Sequence, residues 1–146
     1  MKLTTKSEYS LLALVYIASN QNHGLVKIED ICQRYTISKK YLEHLLSVLK
    51  GSHYIKTLRG AHGGYGLAKP ADKISVAEII RLMDGALATT ESVSRYFFSH
   101  TPIEQHQKLL KLFKEIRDYV AKKLEKTTLA DLTDGASHNY KLKKKE

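Results

Sequence analysis

Lys39, Lys40, Glu43, His44 and Ser47 recur on one side of a stretch that begins at Ser38 and runs SKKYLEHLLSVLKG. Each can donate to a phosphate or hydrogen-bond a base edge, and a carboxylate such as Glu43 can accept from the amino group of cytosine. The other side carries Tyr41, Leu42, Leu45, Leu46, Val48 and Leu49, at the spacing of an amphipathic helix. Ser38 is placed to cap that helix and Gly51 to end it. Tyr54 to Leu58 then favour a strand. They lead into Arg59-Gly60-Ala61-His62-Gly63-Gly64-Tyr65-Gly66, where four glycines in eight residues allow positive φ and close backbone approach. A helix with a polar face followed by a cationic two-stranded finger is the outline of a winged helix-turn-helix, the helix in a major groove and the wing reaching a neighbouring groove. A glycine-rich hairpin at the surface of some other small α+β domain would have the same pattern. A nucleotide-phosphate loop would not: G-x-x-x-x-G-K-[ST] is absent, and the glycines fall between two strands rather than between a strand and a helix.

Charge points to the same stretch. The chain of 146 residues has a net charge of +9 and a pI near 9.5, which favours a polyanionic partner. Residues 27–73 hold nine Lys/Arg against four Asp/Glu, whereas residues 74–101 hold two against three. Other chemistries find little support. No nucleophile with a base, no general-acid pair and no metal-ligand set converges in the sequence, so an enzyme is not expected. Cys32 is the single cysteine, so no internal disulfide can form. It shares a helical face with Ile31 and has no His or Cys at ligand spacing, which suits a small core residue better than a redox sensor. The start, MKLTTKSEYS, lacks the apolar core of a signal peptide, and the longest apolar run, Leu11 to Ala18, is too short to span a bilayer. A soluble cytoplasmic protein without a membrane partner is expected.

The elements that must position these residues follow in order. Thr4 or Thr5 caps a first helix reaching about Ser19, with Lys2, Thr4, Thr5 and Lys6 at its start placed to touch phosphate. Its middle, Leu11 to Ala18, is apolar on nearly every face and calls for cover from more than one side. A short helix from Ile28 to Tyr35 and a turn at Thr36-Ile37 complete a helix-turn-helix with the helix at Ser38. After the wing, Ser75-Val76-Ala77-Glu78 is a capping box opening a helix to about Met83. Asp84 to His100 has no clear period, and its Tyr96-Phe97-Phe98 cluster is expected to pack on a core or line a pocket. Thr101-Pro102-Ile103-Glu104 has the form of a second capping signature, opening the longest helix, to about Lys126. Leu109, Phe113, Ile116 and Val120 follow a heptad seam along it, widened by Leu112, Tyr119 and Leu124. The fold class is mainly α with a small β-wing. The expected organisation is a winged helix-turn-helix over 1–83, a linker over 84–101, a dimerisation helix within 102–132 and a disordered tail over 133–146.

With these parts in place the sequence resembles the Rrf family of bacterial winged-helix regulators. The matching residues are Met1-Lys2-Leu3-Thr4-Thr5-Lys6 with Tyr9, Ile37-Ser38 with Tyr41-Leu42-Glu43, and Leu49. The match continues through the wing from Arg59 to Tyr65, Val76-Ala77-Glu78-Ile79-Ile80, and Thr127-Thr128-Leu129-Ala130-Asp131-Leu132. The resemblance covers about residues 1–132 and implies a homodimer on a partly palindromic double-stranded operator, most often as a repressor. It further implies base reading by Lys40, Glu43 and His44 and minor-groove entry by Arg59. Around them, Lys2, Thr4, Lys6, Ser38, Lys39, Tyr41, Gly60, His62, Gly63, Gly64 and Tyr65 complete the expected DNA-binding set. Cluster-bearing members place three cysteines before the dimer helix; residues 84–107 contain none here. Iron–sulfur clusters are held mainly by thiolates, so the expectation is no cluster, no metal and no cofactor, as in the cluster-free branch. Control would then come from an unidentified effector or a partner enzyme. A second reading from another class is a ligand- or haem/metal-sensing module built around Tyr96-Phe97-Phe98 and His100.

Overall fold

Thr4 starts the first helix: its hydroxyl accepts from the Lys6 amide, and α1 runs Thr5–Asn20 in a computed structural model that describes residues 1–133. The expected tail falls outside the described residues beyond Thr133. Ala13, Leu14 and Ile17 of α1 have no solvent exposure. The cover this apolar helix demands comes from its own chain: α2 (Ile28–Tyr35), α3 (Lys39–Gly51), α4 (Val76–Asp84) and α6 (Leu129–Leu132) all pack against it. The wing's second strand does so too. Of this region's large apolar side chains, Met1, Leu3 and Leu12 stay more than a third exposed.

The helix-turn-helix forms from local signals. Thr36 takes a left-handed conformation, φ 55°, and its amide donates to the Cys32 carbonyl, ending α2. Ser38 then accepts from the Tyr41 amide at 3.3 Å and opens α3, which buries Leu42, Leu45, Leu46 and Leu49. Ile31 is fully buried and Cys32 is half-buried against the same core, where burial pushes its thiol above the ordinary range.

Strands β1 (Ile55–Leu58) and β2 (Gly64–Leu67) pair antiparallel, Ile55 opposite Leu67 and Leu58 opposite Gly64. Two strands alone are marginal in water. This pair gains a third rung, because Val26 and Tyr65 exchange backbone hydrogen bonds of 2.9 and 2.7 Å. The capping box on α4 forms as expected: Glu78 N donates to Ser75 Oγ at 3.2 Å and Ser75 N to Glu78 Oε2 at 2.8 Å.

The second capping signature behaves differently. Pro102–Gln105 closes as a 3-10 turn, and α5 starts afresh at Gln107 and runs to Lys126, with His106 Nδ1 accepting from the Leu109 amide at 3.2 Å. Proline at the first position supports one turn, but His106 is extended (φ −117°, ψ 93°), so the turn cannot continue into the helix. Helix α5 meets its own chain through Leu110, Arg117, Ala121 and Leu124, which pack towards α4 and the segment before it. Leu109 and Ile116 of the heptad seam are exposed, and Phe113 and Val120 are half-buried. The helix thus has two apolar faces. Antiparallel bridging between Ser75 and Thr128 returns the end of α5 to α4, through Val76 N to Thr127 O and Leu129 N to Ile74 O, both 2.9 Å. A four-residue helix such as α6 cannot nucleate by itself; full burial of Leu129, worth about 1.5–3 kcal/mol, holds it in place.

Between α4 and α5 the chain is irregular, with a 3-10 turn at Glu91–Val93 whose Ser92 and Val93, followed by Ser94, are buried. Of the two expectations for the Tyr96-Phe97-Phe98 cluster, packing on a core is not met, and Tyr96 and Phe97 only border a small cleft. The three rings are 70%, 49% and 53% exposed, while Val93 and Leu87 are the buried apolar side chains of this segment. Tyr96 instead lies under the Arg81 guanidinium at 4.9 Å, and Phe98 meets His100 edge-on at 5.0 Å.

Candidate nucleic-acid interface

Helix α3 and the wing enclose a groove of about 310 Å³, with Glu43, Ser47 and Lys50 on one wall and Thr57, Leu58, Arg59 and Tyr65 on the other. Leucines on the buried side of α3 fix its rotation, so Lys39, Lys40, Glu43, His44 and Ser47 all stand exposed on the outer side. Lys39 is already engaged: its ammonium lies 2.9 Å from Glu29, which raises the lysine and lowers the carboxyl. Both side chains are more than half exposed, so the pair is worth little in stability but orients Lys39 towards α2. Lys40 and His44 have no such partner among the described residues. Tyr41 points elsewhere. Half-buried, its ring meets Tyr9 edge-on at 5.8 Å and its hydroxyl lies 3.2 Å from Thr5 Oγ1, so it joins α3 to α1. Ser38 spends an acceptor on the helix cap and keeps its hydroxyl proton to donate.

At the wing, Arg59, Gly60, Ala61 and His62 are exposed, and Arg59 makes no ion pair among the described residues. Gly60 needs its positive φ of 109° for the turn, closed by Gly63 N to Gly60 O at 3.0 Å. Gly63 and Gly64 serve the fold in addition to any contact with DNA. A Cβ on Gly63 would stand 2.1 Å from the Leu58 carbonyl oxygen, and one on Gly64 would stand 2.6 Å from the Val26 carbonyl oxygen. Tyr65 is half-buried; burial first, then the nearby Glu43 carboxylate, pushes its phenol up.

Lys2 and Lys6 are exposed at the start of α1. Thr4 is committed: its amide donates to Asp84 Oδ2 at 2.9 Å and its hydroxyl donates to Asp84 Oδ1. The sequence reading missed Lys27, whose ammonium donates to the Ala61 carbonyl at 3.4 Å and supports the wing tip. It also missed Asp84. Lys27 could have been suspected from its place just before α2; nothing near Asp84 in sequence announces Thr4.

The segment before α5 borders a much smaller cleft among the described residues. Arg81, Arg95, Arg117, Tyr96 and Phe97 border a cleft of about 10 Å³, room for a single water. The arginines are paired, Arg81 with Glu125, and Arg95 and Arg117 with Asp118. His100 Nδ1 lies 2.9 Å from Glu104, and His106 caps α5.

The comparisons with known proteins agree with this geometry. Residues 3–135 match the model of the Rrf2 family, described as an iron-dependent transcriptional regulator. The chain is 33% identical over 143 residues to the HTH-type transcriptional regulator CymR of Bacillus subtilis, covering 96% of this chain and 97% of that one. The solved structure of that protein, titled the global cysteine regulator, superposes with a TM-score of 0.74 at 32% identity over 90% of this chain and 95% of that chain. IscR of T. potens superposes with a TM-score of 0.70 at 29% identity, over 90% of this chain and 85% of that chain. The iron in the family's description raises the question of a thiolate-held cluster, and the donor set does not fit one. The single cysteine, Cys32, sits half-buried in α2, away from the segment before α5. A winged helix-turn-helix, a cationic groove between helix and wing, and full-length likeness to regulators of this kind place the chain in the Rrf2 family of DNA-binding transcriptional regulators.

Proposed function

We propose that two copies of this chain pair through the outward face of α5 and present their α3–wing grooves to a partly palindromic operator, where binding represses transcription. The groove carries the reading, with Arg59 free at its tip and Glu43, Lys40 and His44 along α3. Glu43 suits a cytosine amino group and Arg59 a narrow minor groove. Lys2, Lys6, Ser38 and His62 supply phosphate contacts, while Tyr41, Tyr65, Gly63 and Gly64 shape the surface. The stripe Leu109, Phe113, Ile116 and Val120, left outward by its own chain, supports the pairing. In this reading 1–83 bind DNA, 84–101 link, and 102–132 dimerise. With no thiolate set for a cluster, the regulator works without one and takes its signal from an effector or a partner enzyme.

The test is selection of duplexes from a random-sequence pool by the purified protein, followed by titration at fixed salt. A symmetric sequence should emerge. Arg59→Ala should weaken its binding by about 1–3 kcal/mol without altering the melting temperature, and Glu43→Ala should relax preference at one position in each half-site. Failure to enrich any sequence, or equal binding by both variants, would remove the groove from the reading surface.

A further inference from the structure

Asp84 ends α4 and touches a helix that lies far from it in sequence. Its carboxylate accepts from the amide of Thr4 at 2.9 Å and from the Thr4 hydroxyl. Ser7 sits close by without the geometry of a full hydrogen bond. Burial acts to raise this carboxyl, but the nearby Ser7 hydroxyl and the two Thr4 donors outweigh it and hold it below the usual carboxylate range, so it stays charged at neutral pH. Four residues on, the Ala88 carbonyl accepts from the Met1 ammonium at 3.0 Å. The next residue of the same stretch meets α3, where Thr5 Oγ1 and Tyr41 Oη are 3.2 Å apart. Lys2, before α1, and Lys6, in its first turn, therefore lie on a stretch tied both to residues 84–88 and to the reading helix.

We infer that Asp84 is a positioning residue for DNA binding: through Thr4 it holds the N-terminal lysines and the seat of Tyr41, so that residues 84–88 set the geometry of the reading surface. The inference rests on the α3–wing reading proposed above. A chain end left loose would have to be ordered by the duplex at the moment of contact; a clamped one is ordered beforehand, and binding keeps the difference. The opposite role is also physical. A carboxylate near Lys6 opposes an approaching phosphate, and if that were its main effect, removing the charge would tighten binding. Sign alone separates the two.

The experiment uses full-length protein and a duplex selected from a random-sequence pool by the wild type. Asp84→Ala should weaken binding by about tenfold, within the usual range of coupling between sites. It should also lower the slope of log affinity against log salt by about 0.9 for each phosphate that the variant no longer neutralises. Hydrogen exchange at the amides of residues 2–6 should quicken, while circular dichroism and sedimentation stay those of the wild type. Thr4→Ala should reproduce part of the loss and Thr4→Ser restore wild-type binding; this pair carries the test if Asp84→Ala folds poorly. Unchanged or tighter binding by Asp84→Ala overturns the inference, as does equal binding by Thr4→Ala and wild type. Arg59→Ala in the same titration separates the two levels. If it weakens binding while the Asp84 and Thr4 variants do not, the groove stands and the clamp falls; if no duplex is selected by the wild type, the groove itself falls.

Discussion

The wing and the segment between α4 and α5 are both non-helical excursions from a helical core, yet they are tied to it in different ways. Backbone hydrogen bonds run on both flanks of β2, to β1 on one side and to Val26 on the other, and Gly63 and Gly64 let main chains approach where no Cβ would fit. Charged side chains tie the other segment to α5: Arg95 reaches Asp118, and Arg117 Nη1 donates to the Val93 carbonyl at 2.7 Å. Its three aromatic rings remain largely outside. A surface that must match the spacing of base edges gains from main-chain fixation. A segment held by ion pairs can shift at small cost, since exposed pairs contribute only about 0–1 kcal/mol each.

The sharpest break of this contrast is at Gly63. Gly63→Ala drives a methyl into the Leu58 carbonyl and should cost about 3 kcal/mol or more of folding stability in chemical denaturation, with operator binding lost alongside. Ile116→Glu, on the outward face of α5, should leave the subunit folded and cost about 2–3 kcal/mol in association, seen as a shift to monomer in sedimentation equilibrium. A dimer of wild-type strength in that variant would place the pairing surface elsewhere. Smallest is the acid response of the segment before α5. Arg117 first, then Arg95, hold the Asp118 carboxyl below its ordinary range. A carboxyl depressed in the folded state contributes above its unfolded value and loses that contribution as pH falls through the folded one. Amides of residues 91–99 should therefore exchange faster below the ordinary aspartate range, normalised for intrinsic rates, while those of β2 keep their protection. Equal loosening of both would erase the distinction.

The resemblance to the Rrf family came through clearly in the sequence because its signals are local. Ser38, Ser75 and Thr128 each sit beside the helix they start, and leucine spacing on α3 determines which side chains face out. The wing glycines were legible as glycines, but their reason was not, since the carbonyl that excludes a Cβ at Gly64 belongs to Val26. Pro102 and Glu104 imitate a helix start, but the turn they open ends at His106, whose extended backbone breaks the helix before Gln107. Heptad spacing found the exposed stripe of α5 but counted Leu124 in it, whereas Leu124 packs inward with Leu110 and Ala121 towards α4; an alanine and the half-buried Arg117 on that face give no periodic apolar signal. The Asp84–Thr4 contact spans 80 positions and has no periodic trace at all.

The rung between Ser75 and Thr128 has one more consequence. By stitching the far end of α5 to the near end of α4, it closes the intervening stretch into a ring whose join is main chain and whose lock is Leu129. A protease cut at the exposed Tyr96-Phe97 pair should therefore yield two fragments that travel together through gel filtration and part only in denaturant.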